Sequence, residues 1–179
     1  MRKLILYSAT SLNHKIAAAD GGVAWLDSIP NPGQSDYGYY AFYDRIDTTI
    51  MGNATYQQVI SWDIPFPYPD RTNFVLTRDS AHQDTEHVQF VSGDVVDFVK
   101  ILKQQPGKDI WLIGGGQINT LLFNAGLIDE MIIHVMPILL SGGIDLFEGL
   151  PAQQQLRLVA QKAYESGVLE LHYQTISDD

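Results

Sequence analysis

The residues best suited to chemistry in this chain are glycines. Gly114, Gly115 and Gly116 follow the apolar run Ile110 to Ile113 at once. Ile118, Leu121, Leu122 and Ala125 then repeat at helical spacing until Gly126. A short apolar run with β-branched residues suits a strand buried on both faces. A glycine past the last periodic residue stops a helix. The reading is therefore strand, glycine turn, helix. Free N–H groups at a helix start attract anions such as a pyrophosphate, and glycine lets the backbone touch the ligand. The plainer alternative is a tight strand-to-helix turn that binds nothing. The dinucleotide fingerprint G-x-G-x-x-G is incomplete, because Asn119 stands where its third glycine belongs. It also lies past the midpoint of the chain rather than after a first strand. An ordinary Rossmann domain does not fit, and a fold with a late phosphate-binding turn is needed.

A second turn of the same kind precedes it. Thr48 to Met51 reads as a strand running into Gly52, Asn53, Ala54 and Thr55, where a helix starts and Thr55 adds a hydroxyl. Arg78 stands at the C-terminal end of a third strand, Asn73 to Thr77. Other chemistry finds little support. The five histidines, His14, His82, His87, His134 and His172, show no H-E-x-x-H or other metal spacing. No metal site is expected. No G-x-S-x-G elbow and no G-x-x-x-x-G-K-[ST] loop occurs. There are no cysteines, hence no disulfide, thiolate zinc site or cysteine nucleophile.

Several elements must hold these turns. Leu4 to Ala9 reads as a first strand, followed by a long irregular stretch through Asp20-Gly-Gly22, Trp25, Asp27, Pro30 and Pro32. Loops of that length are often lids or binding loops. Tyr37, Tyr40, Phe42, Tyr43 and Ile46 suggest an aromatic-rich helix, whose rings either pack inward or offer a wall to a flat substrate. Pro65, Pro67 and Pro69 stiffen the next loop. Val88 to Val91 reads as a fourth strand. Asp94 can cap a helix whose inner face is Val95, Phe98, Val99 and Leu102. Met131 to Leu140 reads as one long apolar strand, with Pro137 marking an edge or a bend. Leu156 to Ala163 and Val168 to Thr175 read as an antiparallel hairpin; Leu169, Leu171 and Tyr173 alternate with Glu170, His172 and Gln174. The order predicts an α/β fold, a mixed and mostly parallel central sheet flanked by helices with an antiparallel C-terminal hairpin.

At 179 residues the chain suits a single domain spanning 1–179. The net charge of −10 argues against a broad nucleic-acid or anionic-membrane surface, though not against a local basic pocket. The N-terminus meets polar residues too early for a signal peptide, and no apolar run approaches the ~20 residues of a membrane span. A cytoplasmic location is the expectation.

Taken in order, these pieces resemble the dihydrofolate reductase-like family, and within it the reductase domain of the riboflavin-biosynthesis deaminase-reductase. The matching text is Ser11 to Ala17, Asp20 to Leu26, Thr49 to Tyr56, Asn73 to Arg78, Asp109 to Gly116, Gly126 to Glu130 and Pro137 to Gly143. The resemblance implies NADPH as cofactor, held by Gly52, Asn53, Ala54 and Thr55 on one turn and by Gly114, Gly115, Gly116, Gln117 and Ile118 on the other. It sets Thr77 and Arg78 at the adenosine 2′-phosphate, and Ala9, Ile16 and Ala17 along the nicotinamide. Two departures stand out. Asn53 replaces an arginine usual in the family, which leaves Arg78 alone for the phosphate. Asn13-His14 replaces the usual Asp-Gly, so an acid able to order a proton-donating water is missing. Asp27 and His14 are the substitutes nearest in sequence, and Trp25, Tyr40 and Tyr43 are candidates for the substrate wall. The implied activity is hydride transfer from NADPH to a pterin-like, pyrimidine or similar planar small molecule. The alternative is a dinucleotide-binding protein that has lost catalysis. A homodimer is expected by resemblance, built on Met131 to Leu140 or on the hairpin.

Overall fold

Short apolar runs rich in isoleucine, leucine and valine form the inner strands because they can be covered from both sides. The computed structural model describes residues 1–176. Its main sheet has eight strands: β1 (Leu4–Thr10), β3 (Ile46–Gly52), β4 (Thr72–Leu76), β5 (Gln89–Val91), β6 (Asp109–Gly114), β7 (Glu130–Val135), β9 (Leu156–Ala163) and β10 (Leu169–Thr175). They lie in the order β5-β4-β3-β6-β1-β7-β10-β9. Every pairing from β5 to β7 is parallel. The pairings of β10 with β7 and β9 are antiparallel. This is the dihydrofolate reductase-like arrangement. Two short strands missing from the sequence reading, β2 (Lys15–Ala17) and β8 (Ile144–Asp145), form a small antiparallel ribbon.

Four helices cover the sheet: α1 (Tyr39–Arg45), α2 (Asn53–Ile60), α3 (Val95–Gln104) and α4 (Gly116–Asn124). Alternation along the strands sorts the faces. Leu4, Leu6, Ile50, Ile110 and Leu112 meet Val99 and Leu102 of α3 and Leu122 and Phe123 of α4. Ile5, Met51 and Trp111 meet Phe42 of α1 and Tyr56 of α2. Asp94 caps α3 as expected, its carboxylate accepting from the Asp97 N–H at 2.9 Å. The long loop before α1 holds one 3-10 turn, Ala24–Ser28, with no buried residue.

The expected strand Met131 to Leu140 is cut in two. β7 stops at Val135, and Met136 donates its N–H to the Thr10 carbonyl as the last link to β1. Pro137 has no N–H to continue a ladder. β7 is also interior, buried throughout between β1 and β10, so it cannot offer an edge to a second subunit. Only the bend, of the two roles offered for Pro137, survives. Among the described residues no helix is long and apolar enough to cross a membrane.

Candidate functional site

The two glycine turns meet. β3 and β6 are neighbours, and Met51 is in register with Gly114. Gly52 is the N-cap of α2 and Gly115 the N-cap of α4, and neither helix start carries a side-chain cap. A Cβ built on Gly52 would fall 3.1 Å from Ile118 Cγ1, and one on Gly115 would fall 3.4 Å from Thr55 Oγ1. The first N–H groups of a helix have no acceptor within it. Two such sets, from Asn53, Ala54 and Thr55 and from Gly116, Gln117 and Ile118, thus open onto one small region. That is the geometry of an anion cradle.

The third glycine of the run has a different reason to be there. A Cβ on Gly116 would lie 2.3 Å from the Asp145 carbonyl oxygen and 2.7 Å from Glu148 Cγ. Its lack of a side chain admits β8 and the residues after it. Asn119, wholly buried, donates from Nδ2 to the Leu146 carbonyl at 2.8 Å. The position where a fingerprint would have glycine therefore anchors the β8 segment.

Arg78 is exposed, and its Nη2 lies 3.4 Å from Gln117 Oε1, at the rim of the α4 start. Thr77 accepts the Asp79 N–H on its hydroxyl. Asn53 accepts only a long bond, 3.4 Å, from Gln57. Ala9 is half-buried near the end of β1, and Ala17 is buried at the end of β2. Gly143 comes so close to Ala17 that a Cβ would sit 2.1 Å from its carbonyl oxygen. Ile16 packs on the same core cluster as Ile118. The turn that follows is tied to α2 by a bond from Gln58 Nε2 to the Gly21 carbonyl. The cofactor set read from the sequence is thus gathered around one end of the sheet.

The predicted catalytic and substrate-wall groups are set differently. His14 is exposed with a φ of 60°, and its contacts are made by its backbone: its N–H donates to the Ser11 carbonyl and its carbonyl accepts from Leu146 N–H. Asn13 accepts from Ser11 Oγ and clasps Leu140 through its amide and carbonyl. Positions 13 and 14 are loop anchors. Asp27 lies exposed on the 3-10 turn. Trp25 is half-buried with its indole N–H unpartnered. Tyr40 is 70% exposed. Tyr43 is corrected most clearly. Its hydroxyl donates to Asp70 at 2.6 Å and the Arg71 guanidinium lies 3.8 Å over its ring, because α1 delivers it to the N-terminal end of β3.

A group the sequence reading passed over lies nearer to Ala9. His134 pairs with Ala9 across β1 and β7, and with Glu170 across β7 and β10. It is buried, which pushes its pKa down, while Glu170 pulls the other way. A lone polar residue inside the run Met131 to Met136 was the available signal. Tyr37, whose carbonyl lies 2.9 Å from His134 Nε2, also lines a cavity of about 290 Å³ together with Asn31, Ser35, Tyr164 and Ser166 among others. The larger cavity, about 590 Å³, lies at the opposite end of the sheet around Arg2, Asp47 and Arg71.

With this geometry in place, comparison with known proteins decides the family. The RibD C-terminal domain profile matches residues 67–169. The chain belongs to the RibD C-terminal domain family. The uncharacterized Bacillus subtilis (strain 168) protein YwjB is 40% identical over 172 residues, covering 96% of this chain and 97% of that one. A Shewanella sp. PV-4 protein named for riboflavin biosynthesis superposes with a TM-score of 0.87 at 30% identity, over 98% of this chain and 99% of the other. Dihydrofolate reductase from Enterococcus faecalis, solved with NADP(H), shares the fold at a TM-score of 0.72 and 16% identity, over 98% and 97%. As in other RibD C-terminal domains, the frame of this site is a reductase-type fold.

Proposed function

We propose that this protein is an NADPH-dependent reductase acting on a planar small molecule of pterin-like or pyrimidine type. The contact between two uncapped helix starts carries the reading, since a pyrophosphate has two phosphates and each start can hold one. The residues present fit such a ligand. Gly52 and Gly115 keep the cradle open, Thr55 adds a hydroxyl at its floor, and Arg78 stands at its rim for a 2′-phosphate. Ala9, Ile16 and Ala17 are the small apolar residues against which a nicotinamide would lie. The bound dinucleotide supplies the hydride; the chain supplies orientation and excludes water. The solved complex of the Enterococcus faecalis relative with NADP(H) supports the assignment of cofactor.

The test is binding of NADPH against NADH, with Arg78→Ala alongside. NADPH is expected to bind at least about tenfold more tightly, and the substitution to abolish the difference, since a charge-assisted bond of about 1.4 kcal/mol is worth a factor of ten. Equal affinities in both proteins would sink the 2′-phosphate role. The exposed settings of Asp27 and His14 favour one other reading, a dinucleotide-binding protein without catalysis. Cofactor binding with no NADPH oxidation across pterins and pyrimidines would select it.

The proposal includes a homodimer through the free edge of the sheet. β9 is exposed along seven of its eight residues, with Leu158 and Val159 nearly half uncovered. Such an edge is a template for a second chain. Sedimentation should show a dimer that Val159→Lys converts to a monomer.

A further inference from the structure

The reductase reading leaves a proton unassigned. Hydride addition to a C=N or C=O carbon moves the π pair onto the heteroatom, which then needs a proton from a group within reach. Asp27 and His14 are exposed on loops. His134 is not. Residues in register on parallel strands project to the same face, so its imidazole shares a face with the Ala9 methyl. Tyr7, two residues earlier on β1, confirms the facing, with its ring 5.0 Å from the imidazole.

The imidazole is held firmly. Its Nε2 lies 2.9 Å from the Tyr37 carbonyl oxygen. A carbonyl only accepts, so Nε2 carries a hydrogen. Glu170 Oε2 is 3.4 Å from the same nitrogen and accepts the Tyr164 hydroxyl at 2.6 Å. Nδ1 has no hydrogen-bond partner among the described residues. Tyr37 itself has a φ of 52°, and its hydroxyl is buried without a partner. A non-glycine residue in the left-handed region is uncommon and tends to occur at functional sites. The Tyr37 and Tyr164 rings meet edge-on at 4.9 Å and line the cavity of about 290 Å³. A free Nδ1, a fixed Nε2 and a carboxylate behind it are what an acid–base group requires.

We infer that His134 is the acid–base residue of this site, with Nδ1 facing the reducible bond of the planar substrate and Glu170 as its positioning residue. The inference rests on the reductase reading and adds the proton path to it. The substrate carbon gains a hydride with its two electrons. The C=N or C=O π pair moves to the heteroatom, which takes the proton from Nδ1 of the imidazolium. Oxidised dinucleotide and a neutral imidazole remain, and water reloads Nδ1. The charged and titratable groups around the ring are Glu170 from β10, the phenols of Tyr7, Tyr37 and Tyr164, and beyond them Asp36 and Lys162. Burial disfavours the imidazolium and Glu170 favours it.

The experiment is a fluorescence titration of lumazine, a planar 2,4-dioxopteridine with ring-nitrogen and oxo acceptors, into the NADP⁺-saturated protein between about pH 5 and 7.5, where histidine titrates. Affinity should fall about tenfold per pH unit once His134 is neutral, because one proton is linked to binding. In Glu170→Gln the falling limb should move to lower pH, since the imidazolium loses its counter-charge. In His134→Gln affinity should not depend on pH, with circular dichroism confirming the fold. In wild type, the carbon resonance of His134 Cε1 should titrate along the same limb and shift when lumazine is added. Lumazine that does not bind the NADP⁺-loaded protein, or a limb that persists in His134→Gln, overturns the inference. A Glu170→Gln limb that stays in place removes Glu170 from it. Failure of NADPH itself to bind would instead overturn the reductase reading.

Discussion

At the N-terminal ends of the parallel strands charged side chains find one another, whereas at the C-terminal ends backbone N–H groups open onto a shared gap. Glu130 shows the first arrangement. Its side chain is 3% exposed and meets Lys3 at 2.5 Å, Arg45 at 3.1 Å and His172 at 3.1 Å. Lys103, also buried, meets Asp129 at 2.6 Å and the Leu127 carbonyl at 2.7 Å. Arg2 bonds Asp47 and Thr48. The larger cavity lies among these already matched charges. At the other end Gly52 and Gly115 start helices with no side-chain cap, and Arg78 bonds the Gln117 amide. Cavity size alone would choose the end where the charges are already matched. Charges satisfied by each other hold strands together, while donors left unsatisfied are what a ligand can use.

The comparison can be broken by mutation. Glu130→Ala should have the largest effect, about 2–3 kcal/mol of stability in denaturant titration, because it removes a buried carboxylate that Lys3, Arg45 and His172 all bond, although Lys3 and Arg45 are themselves part-exposed and can turn to water. NADPH affinity of the folded fraction should be unchanged. The same carboxylate predicts an acid limb. Its pKa is held down to about 2, against the ordinary 4.5, by the hydrogen bonds and charges of Lys3 and Arg45, which outweigh the upward push of burial. A depressed carboxylate contributes its stability above the unfolded pKa and loses it as pH falls through the folded one. The stability that this carboxylate contributes should therefore be lost as pH falls from 4.5 towards about 2, and Glu130→Gln should flatten that limb.

At the C-terminal end the expected effects are smaller and of another kind. Gly116→Ala should cost about 1–3 kcal/mol through overpacking against Asp145, and should weaken cofactor binding by displacing β8. Gly52→Ala comes closest to Ile118 Cγ1, at 3.1 Å, and should cost less, a difference that differential scanning calorimetry can rank. Arg78→Ala should leave stability within about 0.5 kcal/mol while lowering NADPH affinity, because the side chain is exposed. A loss of stability with unchanged affinity would reverse the roles given to the two ends.

Much of the frame was legible because its signals are local. The apolar run Ile110 to Ile113, the glycines after it and the 3.6-residue spacing of the next helix lie within a few positions of one another, and so does the alternation of the hairpin. The two glycine turns were legible for the same reason, one at a time. Errors arose where a local pattern had two outcomes. The run Met131 to Leu140 holds enough apolar residues for a long strand, but β1 supplies partners only as far as Thr10 and Pro137 donates none. Tyr43 looked like a ring for a substrate, yet α1 points it at Arg71.

From residue order alone came the strand-glycine-helix units, the closing hairpin and the residues able to hold an anion, since each depends on neighbours close along the chain. Only the tertiary structure decided that the two glycine turns touch, that the buried charges gather at the far end of the sheet, and that His134 stands between Ala9 and Glu170. Those facts depend on strand order and register between segments more than 30 residues apart, which no local pattern encodes.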